Sequence, residues 1–132
     1  FGQGAEIYNR EGHCATCHQQ DGKGLPHSGF PPLDKSKWVT GSKERLIKLT
    51  LHGLHGPITV KGKQYPGHVP MTAFKDVLDD DETAAVLTFV RNTFDNNASV
   101  VTSEEVATVR EATKDKEGFY SPEELLKEHP HQ

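Results

Sequence analysis

The chain is short of apolar material. Hydrophobic residues make up 33 % of its 132 positions and its mean hydropathy is −0.67. That is lean for a chain that must bury enough apolar surface to offset its conformational entropy, so something other than side chains is expected to supply part of the core. No apolar run approaches the roughly 20 residues that a membrane-spanning helix requires. Internal repeats and low-complexity segments are absent, and the length fits one domain with an appendage. The chain is read as soluble as it stands, either a processed form or an excised domain. Clusters of Lys and Arg interleaved with aromatics are missing and the pI is near 6.0, which argues against nucleic acid as a partner. Cysteine occurs twice, methionine once and tryptophan once.

Charge is present but unevenly placed. Residues 1–75 hold ten Lys and Arg against five Asp and Glu, whereas residues 76–132 hold five against fourteen. The basic part carries Lys23, Lys35, Lys37, Lys61, Lys63 and Lys75. Such asymmetry predicts a dipolar molecule, with either an ordinary solvated surface or a docking face at its basic end.

The regular structure that the sequence supports is helical. Residues 3–12 form a short helix presenting Ile7 and Tyr8 and ending at Gly12; a Gly- and Pro-punctuated segment through Pro31 and Pro32 follows. Ser42 is placed to cap a second helix that turns Leu46, Ile47 and Leu49 inward and stops at Gly53. Ile58 and Val60 alternate before a Lys61-Gly62-Lys63 turn, which reads as a small hairpin ending near Tyr65. The strongest helix spans 80–94, with Asp79 and Glu82 at capping-box spacing and a stripe of Ala85, Val86, Phe89, Val90 and Phe94. Two shorter helices are signalled by Thr102 with Glu105 and by Ser121 with Pro122 and Glu124.

Both cysteines lie in Cys14-Ala15-Thr16-Cys17-His18. A redox dithiol would need a βαβ setting that is not present here. Zinc would have to recruit two scattered histidines, none at finger spacing, and a disulfide across two residues would close a ring too small to remove much chain entropy. The arrangement that uses all three residues is covalent haem. Two thiols separated by one helical turn add to the two vinyl groups, and the adjacent imidazole ligates iron from the proximal side. A buried porphyrin also accounts for the lean composition, because it contributes apolar surface of its own.

A low-spin carrier needs a sixth ligand. Met71 follows Pro70 in a loop punctuated by Gly and Pro, where a thioether can be held toward iron; a lone methionine is otherwise a core filler. His52, His55 and His68 are the rival ligands. Thioether ligation favours the ferrous state and raises the potential relative to two histidines.

On these residues the chain resembles a class I c-type cytochrome over roughly residues 3–95: a leading helix, the Cys14 to His18 motif, a Pro-rich loop, a Met loop and a closing helix that crosses the first. The resemblance implies a mostly α fold of about three to five helices around one covalent haem, with a small β-hairpin. It implies that the carbonyl of Pro31 or Pro32 accepts a hydrogen bond from the proximal imidazole. It also implies that Trp38, and with it Tyr65, lines the haem pocket near a propionate, with plain core packing as the alternative. The family usually sets an aromatic four residues before the first cysteine. Here that slot is Arg10 and Tyr8 lies six before, so either Gly12-His13 is a local insertion or the helix contact is shifted, and Gly4 or Ile7 and Tyr8 are expected to pack against Phe89 and Val90. Residues 1–96 are read as the cytochrome domain and 97–132 as a helical C-terminal extension, similar to tails of bacterial cytochrome domains that accompany or are fused to larger redox enzymes, with an acidic, partly ordered tail of no contact function as the alternative.

The function expected is single-electron transfer between a donor dehydrogenase or quinol-oxidising complex and a terminal oxidase or reductase. The protein would be a monomer, periplasmic or otherwise exported, docking weakly through the haem edge with lysines steering an acidic partner. The rivals are a haem domain of a larger redox enzyme, and a haem enzyme or gas sensor with a labile distal ligand assisted by His68, His55 or Arg45.

Overall fold

Helix capping sets most of the element boundaries, and it does so where the sequence places the caps. The structure, a computed structural model, describes residues 2–9, 18, 22–24, 33, 36–56, 58–60, 63–65, 71, 73–94, 96–116 and 118–129. Among them are six helices and one two-stranded antiparallel sheet: α1 (Gly2–Asn9), α2 (Lys37–Thr40), α3 (Lys43–His52), β1 (Ile58–Val60), β2 (Lys63–Tyr65), α4 (Asp80–Arg91), α5 (Ser103–Ala112) and α6 (Pro122–Glu128). The mostly α class with a small hairpin is as expected.

Helix α3 begins at Ser42, whose hydroxyl accepts from the Arg45 N–H, and ends at Gly53, which adopts φ +82° and donates its N–H to the Leu49 carbonyl. Capping boxes close the starts of α4 and α5. Asp79 accepts from the Glu82 N–H at 2.7 Å while Glu82 accepts from the Asp79 N–H at 3.1 Å, and Thr102 with Glu105 repeats the exchange. Ser121 caps α6 and Pro122 occupies its first turn, where the missing N–H costs nothing. The hairpin pairs Ile58 with Tyr65, Thr59 with Gln64 and Val60 with Lys63; its turn residues Lys61 and Gly62 lie outside the described residues.

Helices α1 and α4 cross at backbone distance. A β-carbon at Gly4 would sit 2.7 Å from Phe89 Cβ and closer still to the Ala85 carbonyl, so glycine is what permits the approach. Ile7 and Tyr8 are fully buried, and Tyr8, Phe89 and Phe94 form a ring cluster with centroids 5.2 to 5.8 Å apart. Phe94 lies just past the helix, which stops at Arg91 and not at 94, and it adopts φ +55° with its ring wedged in that cluster. Whether Arg10, Gly12 and His13 shift the leading helix lies outside the described residues.

Helix α2 was not legible in the sequence. A single turn is too short to show a period, and this one is held from outside. Arg45 donates to the Lys37 carbonyl at 2.8 Å, and Arg91 donates to the carbonyls of Val39 at 2.8 Å and Gly41 at 3.0 Å. Two guanidinium groups thus satisfy carbonyls at the C-terminal end of the turn, where a cation is favoured by the helix dipole.

Residues 97–129 pack onto the rest of the chain. Val101, Val106, Val109, Tyr120 and Leu125 belong to the same buried cluster as Tyr8, Leu46 and Val86. Polar contacts fasten the edges: Thr88 exchanges hydrogen bonds with both backbone groups of Val101, and Arg110 binds Asp80 at 2.8 Å and the carbonyls of Lys75 and Leu78. At the far end the His129 carbonyl accepts from Arg45 at 2.8 Å.

Candidate haem site

Between α2, α3, the hairpin and α4 lies an apolar cavity that is partly open to solvent. Its walls come from every one of those elements. Trp38 and Val39 enter from α2, Leu46, Leu49 and Thr50 from α3, Ile58 and Val60 from β1, and Val86, Leu87 and Val90 from α4. Leu33, Leu54, Phe74 and Leu78 close the gaps between them. The polar groups of the wall are already engaged. The Thr50 hydroxyl donates to the Leu46 carbonyl at 2.8 Å, the Ser36 hydroxyl accepts from the Trp38 N–H, and the Trp38 indole N–H donates to the Thr59 carbonyl at 3.2 Å. Such a lining asks for an apolar occupant, since any polar group placed against it would lose its hydration without finding a partner.

Two lining residues differ in kind from the rest. His18 and Met71, far apart in sequence, both face this cavity. His18 is buried at 9 % exposure. Met71 is held by its backbone to the residue after Gly53: its N–H donates to the Leu54 carbonyl at 2.8 Å and its carbonyl accepts from the Leu54 N–H at 3.3 Å. An imidazole and a thioether facing one apolar chamber are the donor set that suits a haem iron, and the apolar lining suits the face of a porphyrin.

The remaining site residues distribute unevenly. Trp38 lines the chamber with its ring, since its N–H is committed to Thr59, and Arg45 stacks over it at 4.8 Å. Tyr65 is buried at the end of β2 opposite Ile58, but is not among the described lining residues. Cys14, Cys17, Pro31, Pro32 and His68 lie outside the described residues. The other rival groups do not reach the chamber. His52 turns its ring to Thr113 and Tyr120, His55 lies exposed against Phe119 at 5.9 Å, and Arg45 sits behind Trp38 with its two Nη groups on the His129 and Lys37 carbonyls.

Burial lowers the proton affinity of three of these groups. Arg45 and Arg91 are pulled below the usual guanidinium range by desolvation. His52 is pulled below the usual imidazole range first by desolvation and then by Lys75, Lys116 and Arg110. The Thr113 hydroxyl donates to the Val109 carbonyl, so it accepts from His52, which places the ring proton on Nε2.

Sequence reasoning missed Leu54, Phe74 and Leu78 as walls, and missed the backbone seat of Met71. Phe74 and Leu78 are spaced four apart, a signal that could have been read; Leu54 offers none, because its role depends on two strands brought together from residues 71 and 120.

Comparison with known proteins agrees with the chamber. The family model described as cytochrome c matches residues 2–94. The chain is 37 % identical over 129 residues to cytochrome c-552 of Thermus thermophilus, covering 95 % of this chain and 92 % of that protein. It is 38 % identical over 96 residues to the cytochrome c subunit of a quinone alcohol dehydrogenase of Gluconobacter oxydans, covering 72 % of this chain and 19 % of that subunit. A match across nearly the whole chain, on a helical fold that aims an imidazole and a thioether into one apolar chamber, assigns the chain to the cytochrome c family, the class I electron carriers that bind haem c covalently.

Proposed function

We propose that one haem c is attached through Cys14 and Cys17, with His18 as proximal and Met71 as distal ligand of its iron. The observation that carries this reading is that His18 and Met71 line the same apolar cavity. The bound haem supplies a one-electron couple between ferric and ferrous iron. The chain's part is to keep both ligands in place through that change: the Leu54 bridge holds Met71, and Trp38 with the aliphatic walls keeps water from the metal. Little then reorganises when an electron arrives or leaves. The carbonyl of Pro31 or Pro32 is the proposed acceptor for the His18 ring N–H, fixing its tautomer and basicity. Residues 1–96 are the proposed haem domain, with 97–132 an extension that packs on it.

The carrier runs between a donor dehydrogenase or quinol-oxidising complex and an acceptor oxidase or reductase, outside the cytoplasm, where this kind of haem attachment takes place. Docking is transient, through the exposed haem edge of a monomer, with lysines of the basic half steering an acidic partner. A fall in the donor-to-haem rate with rising ionic strength is expected; a rate indifferent to salt defeats the steering. The second reading, a haem domain working within a larger dehydrogenase, is favoured by the likeness to the alcohol dehydrogenase subunits. Reconstitution with dehydrogenases and oxidases from the same source, followed as haem reduction and oxidation, separates the two. For the ligand set the test is optical. Ferric haem bound to methionine shows a weak charge-transfer band at the red edge of the visible spectrum. Met71→Ala is expected to abolish it, and a band that survives the substitution rejects the assignment.

A further inference from the structure

Residues 53–55 are a single extended rung with a different partner on each side. On one side Leu54 forms an antiparallel bridge with Met71, and on the other it forms a parallel bridge with Tyr120 of the C-terminal extension. The second bridge consists of two backbone hydrogen bonds. The Tyr120 N–H donates to the Gly53 carbonyl at 3.1 Å, and the His55 N–H donates to the Tyr120 carbonyl at 2.9 Å.

Gly53 makes the layering tight. At φ +82° it occupies a region that L side chains avoid, and a β-carbon there would lie 2.5 Å from Cδ1 of Phe119 and 2.6 Å from the Met71 carbonyl oxygen. No side-chain layer therefore separates the Phe119 ring from the backbone of Met71. Tyr120 is itself seated: it is buried, its ring meets His52 edge-on at 5.6 Å, and Lys116 Nζ lies 4.5 Å from its centroid. Residues 50 and 51, at the end of the same helix α3, also hold the chain beyond Met71, since the Thr50 and Leu51 carbonyls accept from the N–H groups of Phe74 and Lys75.

We infer that Phe119 and Tyr120 are positioning residues for the distal ligand: the extension braces the 53–55 rung from behind, and that rung holds Met71 toward the iron. The inference rests on Met71 being the ligand. If the brace is loosened, the Met71 loop spends more time away from the metal, so an external ligand competing for the sixth position binds more tightly in proportion to the open fraction. Losing the net contribution of one backbone hydrogen bond corresponds to an increase of roughly fivefold.

The test titrates imidazole into the ferric, haem-loaded protein and records the charge-transfer band and the midpoint potential of each variant. Tyr120→Ala and Phe119→Ala are expected to bind imidazole about three to ten times more tightly than the parent, with a weaker band and a lower potential. Tyr120→Phe, which keeps the ring in its seat, is expected to behave as the parent. Val106→Ala trims a fully buried side chain of α5 that makes none of the bridge's hydrogen bonds, and serves as the matched loss of stability. It is expected to unfold at a lower temperature with unchanged imidazole affinity. If Val106→Ala raises the affinity as much as Tyr120→Ala does, the extension only stabilises the fold and the inference is overturned. It is overturned equally if neither Phe119→Ala nor Tyr120→Ala shifts affinity or band. A Met71→Ala protein that keeps the band removes the ligand assignment, and the inference falls with it by a separate route.

Discussion

Residues 2–94 and residues 96–129 share one buried cluster, yet they reach cohesion by opposite means. The first region is arranged around a chamber with an apolar lining. The second meets α3 across a more polar groove, lined by Lys43, Lys48, Glu105, Thr108 and Lys116 among others. It is fastened by a capping box, by the Arg110–Asp80 and Lys43–Glu105 ion pairs at 2.8 and 2.7 Å, and by backbone bonds to residues 53–55. The contrast assigns labour. The first region supplies the chamber's walls, His18 and Met71 among them, and the second bonds to the 53–55 rung that pairs with Met71.

The largest expected effect breaks the first region at its source. Cys14→Ser with Cys17→Ser is expected to prevent covalent attachment, and without the porphyrin's apolar surface in its core the domain is expected to lose its cooperative fold. Near-ultraviolet circular dichroism of the haem-free protein should show no fixed aromatic signal. A sharp, cooperative melt in its absence would mean that the side chains close the chamber unaided.

The next effect lies on the seam between the two regions. Arg91 is 3 % exposed and donates to the Val39 and Gly41 carbonyls on one side and to the Ser99 carbonyl and hydroxyl on the other. Arg91→Ala takes the donor from the buried Val39 carbonyl and from the part-buried carbonyls of Gly41 and Ser99, and is expected to cost about 3 kcal/mol, measured by denaturant unfolding. Because α2 carries Trp38, the haem absorption should shift as well; a loss of stability with an unchanged spectrum would show that α2 stands without the arginine.

Capping sharpens the comparison at smaller scale. Thr102→Ala removes the cap of α5 and Asp79→Ala that of α4, each expected to cost about 1 kcal/mol. If the chain unfolds as one cooperative unit, both lower the same transition. A separate early transition in Thr102→Ala alone, seen by hydrogen exchange, would make the extension an independent unit.

The smallest effect is on pH. His52, at the junction of α3 with the extension, has its proton affinity lowered by burial and nearby cations. The unfolded chain therefore takes up a proton near the ordinary imidazole pKa of about 6.5 while the folded chain does not. Stability is at its full value above about pH 6.5 and declines as pH falls toward the lower folded-state value. His52→Gln should flatten that decline, and an unchanged profile between about pH 5 and 7 would show that other groups cause it.

How much of this was legible from the residues follows from the range of the interaction concerned. Ser42, Asp79, Thr102 and Ser121 announce their helices because a cap and its partner are only two or three residues apart. Leu46 and Leu49 were readable as inward because a helical stripe is local. Helix α2 was not, since its carbonyls are satisfied by Arg45 and Arg91 from other elements. Arg45 and His55, read as groups for a reactive distal site, turned out to be occupied elsewhere: charge and chemistry are visible in a sequence, but the direction in which a side chain points is not.

By itself the sequence determined the chemistry and the local geometry. Two thiols and an imidazole within five residues, one methionine in a punctuated loop and four helix caps are patterns whose partners lie within a few positions of each other. Only the tertiary structure decided that His18 and Met71 face one chamber, that Trp38 presents its ring and not its N–H, and that Tyr120 stands behind Met71 with Leu54 between them. Those contacts join residues dozens of positions apart through backbone groups that every residue carries, so no residue type marks them in advance.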